Sequence, residues 1–328
     1  MKFYKSLNIS FSNNKHNVSI IRYPFREINN KEVLIKIKYS CLNYKDALSV
    51  TGATRIIRPD NLTPGLDFSG TVIDSNSKKF HKGDKVLATG SGLGESMHGG
   101  FSEYIYINED CLVHIPEKLN LLSAMQIGTA GFTAALAIEK ILLNKQKIEN
   151  GPILVTGATG GVGSLVIDMI SNLGFYVIAY TRKKNMNGYL KKIGAKDIIN
   201  KIPEINKKNL NKKIYAGGID NVGGDILGWL IKSTKDNGNI VSVGMALSSE
   251  LNTNVFPLII RSVNILGISS TNYPNKKRSL IWKKIANMYK PKHLRTINTK
   301  CISLNNIVSF SKKMIDGKTT GKTVIKIY

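Results

Sequence analysis

The chain has 328 residues, 42% of them hydrophobic, with 47 Lys plus Arg against 22 Asp plus Glu and a formal charge of +25. That length can build two domains with sizeable cores, and the absence of a run of eighteen apolar residues or of an apolar leader places the chain in the cytoplasm by expectation. The charge does not imply a nucleic-acid interface: lysines are scattered beside Asn and Ile, as in Asn144–Lys147 and Ile205–Asn209, with no aromatic-interleaved basic strand and no zinc-finger spacing. An anionic small molecule is the partner such a surface would attract. Cys41, Cys111 and Cys301 lie far apart, so neither a disulfide framework nor a clustered metal site is expected.

Residues up to about 125 read as β-rich. Val33–Tyr39 alternates, Gly70–Ile73 follows a Pro64-Gly65 turn, Val86–Ala88 follows Lys82–Lys85, and Phe101–Ile107 alternates again. Helical character begins at Leu121 and runs through Ala134–Ile138.

The most informative stretch comes next. Pro152–Thr156 has strand composition, and Gly157-Ala158-Thr159-Gly160-Gly161-Val162-Gly163 follows it directly. Val162, Leu165, Val166, Met169 and Ile170 then recur at helical spacing up to Leu173-Gly174, and Tyr176–Tyr180 reads as a second strand. Strand, glycine turn, helix and strand within about thirty residues is the setting of a dinucleotide fingerprint. Glycines at 160, 161 and 163 let the backbone pass under a pyrophosphate, whose charge the first helix amides would face.

The end of the second strand selects the dinucleotide. A site for NAD places Asp or Glu there to bind the ribose hydroxyls, whereas this chain has Tyr180-Thr181-Arg182-Lys183-Lys184. Thr181, Arg182 and Lys183 suit a 2′-phosphate, with no carboxylate to repel it, so NADPH is the expected cofactor. Further units follow. Tyr189–Ala195 ends a short helix at Gly194, and Asp197–Ile199, Gly218–Gly224, Asn239–Gly244 and Val263–Ile268 read as strands. The tail Gly321–Ile327 is a strand that need not join the nucleotide domain.

This order resembles the medium-chain dehydrogenase/reductase superfamily and, more narrowly, the acrylyl-CoA reductase branch of its zinc-independent, quinone-oxidoreductase-like members. The matching stretches are Ser40–Leu48, which contains Asn43-Tyr44-Lys45-Asp46, then Pro64–Val72, Ile127–Ala134 and the glycine turn. The resemblance implies an α/β fold: a GroES-like β-rich domain over residues 1–125, a Rossmann domain with a doubly wound parallel sheet over 126–270, and a segment, 271–328, returning to the first domain. It also implies roles. Tyr44 and Thr129 approach the nicotinamide, Thr159, Gly160, Gly161 and Val162 form the pyrophosphate turn, Asn221 lies beside the riboses, and Gly244, Met245 and Ser270 border the cofactor. A homodimer is implied as well.

Zinc is not expected. Where zinc alcohol dehydrogenases carry a cysteine and a Gly-His-Glu motif, this chain has Asn43 and Leu66-Asp67, and no structural four-cysteine lobe is visible. The implied reaction is reduction of acrylyl-CoA to propionyl-CoA by hydride transfer from NADPH, with Tyr44 and Asp67 as candidate catalytic residues. Asp67 is read either as orienting Tyr44, Lys45 or a water or as a structural salt-bridge residue, and His98 either as reaching the acyl pocket or as an uninvolved surface histidine. Two alternatives stand beside this reading: reduction of quinones or α,β-unsaturated ketones, and a non-catalytic NADPH-binding regulatory protein.

Overall fold

A computed structural model describes residues 2–12, 15–202 and 208–328, so residues 205–207 of the second lysine-rich run lie outside the described residues. The chain divides into two compact units, Met1–Thr129 with Ser270–Ala286 and Asn298–Tyr328, and Ala130–Ser269 with Asn287–Ile297.

The first unit begins with strands β1 (Phe3–Ser12), β2 (Lys15–Pro24) and β3 (Glu32–Leu42), then helix α1 (Tyr44–Thr51). It continues with β4 (Asn61–Leu62), β5 (Asp67–Ser75), β6 (Lys85–Thr89), β7 (Tyr104–Asn108) and β8 (Val113–His114). Alternation drives the assembly: Val33, Ile35 and Ile37 of β3 are buried with Phe68, Val72, Val86, Ile105 and Ile107. A second core joins Leu7, Ile9, Leu42, Val50, Ile57 and Phe101 with Ile307 and Ile325 from the far end of the chain.

Helix α2 (Leu121–Leu143) carries a break at Gly128, whose φ of 52° and ψ of −159° are not helical. By length and composition it could cross a membrane, a property that a count of consecutive apolar residues misses because Ser123, Gln126, Thr129 and Glu139 interrupt the run. Most of its apolar length is buried inside the protein.

In the second unit β9 (Ile153–Val155), α3 (Gly161–Asn172), β10 (Val177–Tyr180), α4 (Asn187–Lys192), β11 (Asp197–Ile199), β12 (Tyr215–Asp220), α5 (Gly224–Lys232), β13 (Thr234–Ser242), α6 (Phe256–Arg261) and β14 (Asn264–Gly267) follow in turn. All pairings in this six-stranded sheet are parallel, in the order β11-β10-β9-β12-β13-β14. Its strand order therefore reverses between β9 and β12, the doubly wound arrangement that opens a crevice at the carboxyl ends of the strands. Ile153, Leu154 and Val155 are fully buried, as a strand covered on both faces requires.

Helix α7 (Asn275–Ala286) returns to the first unit, and β15 (Asn298–Ser303), α9 (Ile307–Ile315) and β16 (Lys322–Lys326) complete it. β16 pairs antiparallel with β3, setting Val324 opposite Cys41, and the resulting seven-stranded sheet runs β15-β16-β3-β5-β6-β8 with β7 paired to β3. Residues 287–297, expected with the first domain, cluster with the second unit instead, and this stretch includes α8 (Leu294–Ile297). Two polar anchors explain the correction. Tyr289 donates to Glu139 at 2.6 Å, and the His293 amide and Nδ1 each lie 2.9 Å from the buried Asp168 carboxylate on α3.

Candidate active site

The glycine turn joins β9 to α3 as the sequence predicts. Gly157 has φ +58, the Gly160 amide donates to the Gly157 carbonyl at 2.9 Å, and Gly160 caps α3 without any side-chain cap. The first-turn amides of a twelve-residue helix therefore point out of the turn without a side chain to satisfy them, which makes an anion-binding end. A Cβ on Gly163 would stand 2.5 Å from the Gly157 carbonyl oxygen, so the helix packs on the turn only because that residue is glycine.

Neighbouring strand ends meet this turn. Ala158 donates to the Tyr180 carbonyl at 3.3 Å, which brings the end of β10 beside it. There the buried Thr181 hydroxyl accepts the Lys183 amide at 3.1 Å, Arg182 is exposed, and partial burial lowers the Lys183 pKa. On the other side a Cβ on Gly157 would lie 3.1 Å from Asn221 Cβ. Asn221 donates from its side chain to the Thr156 carbonyl at 2.7 Å, while its own Oδ1 is buried without a hydrogen-bond partner. Such an orphaned acceptor fits a ligand hydroxyl.

Asp220 holds that loop. Its buried carboxylate accepts Thr156 Oγ1 at 2.6 Å and the Gly223 amide at 2.7 Å, while burial pushes its pKa up. Gly244 approaches so closely that a Cβ there would stand 2.7 Å from the Asn221 carbonyl oxygen, and Met245 beside it is 71% exposed. Thr159–Val162, Thr181–Lys183, Asn221, Gly244 and Met245 thus gather at the carboxyl end of one sheet.

In the first unit Tyr44 opens α1 and is 44% exposed, so its ring is no core aromatic. The residues around it form a buried cluster. Asp67, with no exposed surface, accepts Cys41 Sγ at 2.9 Å, Asn43 Nδ2 at 2.9 Å, the Thr129 amide at 2.8 Å and, on its other oxygen, the Thr129 hydroxyl. Expectation and structure differ here: Asp67 orients neither Tyr44 nor Lys45, because its carboxylate is committed to Cys41, Asn43 and Thr129, while Lys45 pairs with Glu95. Gly128 permits this convergence, since a Cβ at that position would lie 2.6 Å from Cys41 Sγ and 2.8 Å from Asp67 Oδ2.

Two more expected residues have neighbours of their own. Ser270 belongs to the first unit, where its carbonyl accepts the buried Arg278 guanidinium at 2.7 Å, and burial brings the Arg278 pKa down to about 10. At His98 the Nδ1 accepts the Thr63 amide at 3.1 Å and the ring packs edge-on against Tyr23. Sequence reasoning missed Gly128, Asp46, Asp220 and Lys322. The Gly-Thr pair at 128–129 and the aspartate ending the 215–220 strand were visible signals, whereas nothing in the order of residues ties Lys322 to Cys41.

Residues 29–117 match the alcohol dehydrogenase GroES-like domain family and residues 161–287 match the zinc-binding dehydrogenase family. The chain is 37% identical to YhfP of Bacillus subtilis, named as a quinone oxidoreductase, over 90% of both chains. It is 35% identical to the acrylyl-CoA reductase AcuI of Ruegeria pomeroyi, again over 90% of both. The chain belongs to the quinone-oxidoreductase-like family of medium-chain dehydrogenase/reductases. Among solved members, the Salmonella enterica yhdH oxidoreductase in complex with NADP superposes with a TM-score of 0.93 at 33% identity, covering 99% of this chain and 100% of that one. YhfP with NAD bound gives a TM-score of 0.94 at 34% identity over the whole of both chains.

The zinc of the dehydrogenase family does not fit these residues. Cys41 Sγ is already engaged, donating to Asp67 at 2.9 Å and accepting from Lys322 at 3.2 Å, and burial first, then the Asp67 charge, push its pKa well above the ordinary value. Asn43 is an amide, and no group of three His, Cys, Asp or Glu suited to a metal occurs among the described residues.

Asp46, which caps α1 by accepting the Asn43 amide at 2.9 Å, has its pKa raised from 3.8 to about 7, by burial and then by the Asp67 charge. The folded protein therefore keeps a proton that the unfolded chain loses, and stability falls as pH rises between those two values. Asp46→Asn removes this titration. Urea denaturation at stepped pH should show the wild type losing stability relative to the variant by up to about 1.4 kcal/mol per pH unit between about pH 5 and 7. Parallel pH profiles would contradict it.

Proposed function

We propose that the chain is a cytoplasmic, NADPH-dependent enoyl-thioester reductase that converts acrylyl-CoA to propionyl-CoA. The observation carrying the cofactor is the end of β10, where Thr181-Arg182-Lys183 lies beside the glycine turn and no carboxylate takes that place. The uncapped start of α3, the partnerless Asn221 Oδ1 and the close glycine approaches suit the rest of a dinucleotide. The yhdH relative holds NADP in its crystal structure, which agrees, whereas YhfP holds NAD. The name of the AcuI relative supports the substrate.

In this reading Arg182 and Lys183 hold the 2′-phosphate, the backbone of Thr159–Val162 holds the pyrophosphate, and Asn221, Gly244 and Met245 border the riboses. Tyr44, Thr129 and Ser270 serve the nicotinamide end. The chemistry NADPH supplies is a hydride for the β carbon of the acrylyl thioester. Negative charge then develops on the thioester oxygen, and a hydrogen-bond donor there lowers the barrier. Tyr44 is the donor we assign, since its ring is exposed at the start of α1. Uptake of one proton from solvent at the α carbon completes propionyl-CoA. Asp67 has no surface to offer a substrate and acts by positioning Thr129.

A second reading has a specific basis: YhfP, of comparable identity, is named as a quinone oxidoreductase, and the same hydride chemistry serves a quinone or an α,β-unsaturated ketone. A protein that binds NADPH only to report it is the third. We further read the assembly as a homodimer, because α6 leaves Phe256, Ile259 and Ile260 exposed, with Ile259 at 72%, next in sequence to β14, the edge strand of the parallel sheet.

Three measurements follow. In steady-state assays acrylyl-CoA should exceed crotonyl-CoA and a simple quinone by at least about tenfold in kcat/KM; equal rates would sink the acrylyl assignment, and tight NADPH binding with no turnover would favour the regulatory reading. Arg182→Ala with Lys183→Ala should raise the KM for NADPH about tenfold or more and leave that for NADH within about twofold, whereas equal loss for both would remove the 2′-phosphate role. Light scattering should give a dimer that Ile259→Glu converts to a monomer, and a monomeric wild type would contradict the assembly.

A further inference from the structure

Lys322, the first residue of β16, is 2% exposed and reaches two neutral acceptors, Cys41 Sγ at 3.2 Å and Asn43 Oδ1 at 3.2 Å. Each of these passes a hydrogen bond onward to the same carboxylate. Cys41 donates from sulfur to Asp67, Asn43 donates from its amide to Asp67, and Asp67 accepts both polar groups of Thr129. Among the described residues no carboxylate lies within ion-pairing distance of the Lys322 ammonium, so its charge is balanced across the relay rather than by direct contact. A buried lysine held in this way is costly unless the acid at the other end of the relay stays ionised.

We propose that Lys322 is the internal cation around which the Cys41, Asn43, Asp67 and Thr129 cluster is built, and that through Asp67 it is a positioning residue for Thr129. The inference rests on the reading that Thr129 meets the nicotinamide end of NADPH. It accounts for three features together. Cys41 is a protonated donor because a carboxylate accepts from it and an ammonium donates to it. Gly128 has no side chain because one would enter the cluster, 3.3 Å from Lys322 Nζ. The donor set that zinc would need is spent, with a lysine supplying the positive charge at that place. The C-terminal strand thereby becomes part of the site, although 281 residues separate Lys322 from Cys41.

The test uses the full chain, with Lys322→Met to remove the charge and Lys322→Arg to keep it. NADPH binding is followed by fluorescence, and hydrogen exchange is followed at the Thr129 amide, whose proton is bonded to Asp67. Lys322→Met should weaken NADPH binding at least tenfold and speed exchange at Thr129 at least tenfold, while Lys322→Arg stays within threefold of wild type in both. NADPH binding by Lys322→Met within twofold of wild type overturns the proposal, whether or not exchange changes. Should Lys322→Met fail to fold, Cys41→Val removes one relay and no charge, and must still speed exchange at Thr129 and weaken NADPH binding; wild-type values for either overturn the proposal. A wild-type protein that binds no NADPH defeats the cofactor reading instead, and exchange at Thr129 then decides for or against the relay by itself.

Discussion

The carboxylate of Asp67 is the point on which the buried polar cluster of the first unit depends. It is buried without exposed surface and collects hydrogen bonds from β3, from the residue before α1, and from the break in α2. A charge in that position is tolerable only when several donors replace water, and each donor is fixed in turn by having to reach it. Tyr44 is carried on the helix that begins one residue after Asn43, and Asp46 caps that helix within the field of the same carboxylate. One buried carboxylate thus ties together β3, the start of α1 and the bend of α2.

The second unit solves its problem with backbone rather than charge. Reversal of strand order between β9 and β12 places Gly157 against Asn221, and the absent side chains at 157, 163 and 244 let three loops approach within van der Waals distance. Basic side chains stand beside the glycine turn at Arg182 and Lys183, at the end of β10. In the proposed reading, specificity for the cofactor rests on Arg182 and Lys183, and affinity rests on the backbone amides of that turn.

Local patterns made much of this legible. The glycine turn, its flanking strand and helix, and the basic end of β10 could be read because each depends on residues adjacent in sequence. The β16 segment was legible as a strand, since Val324 and Ile325 fall within an apolar run, but its pairing with β3 was not. Long-range partners were the part that sequence could not supply. Cys41 looked like an isolated cysteine, and only the register of β3 against β16 reveals that it stands between Lys322 and Asp67. The same limit explains Asp67, both of whose oxygens are taken by Thr129, and residues 287–297, whose anchors on Glu139 and Asp168 lie more than a hundred residues away.

The most direct test of the proposed chemistry follows a label from cofactor to product. With NADPH deuterated at the transferable C4 position, acrylyl-CoA in ordinary water should give propionyl-CoA carrying one deuterium on the β carbon and none on the α carbon; unlabelled NADPH in heavy water should reverse the pattern. Mass spectrometry and NMR of the product decide it. Deuterium lost to solvent, label on the α carbon, or no thioester product while a quinone is reduced would contradict that chemistry.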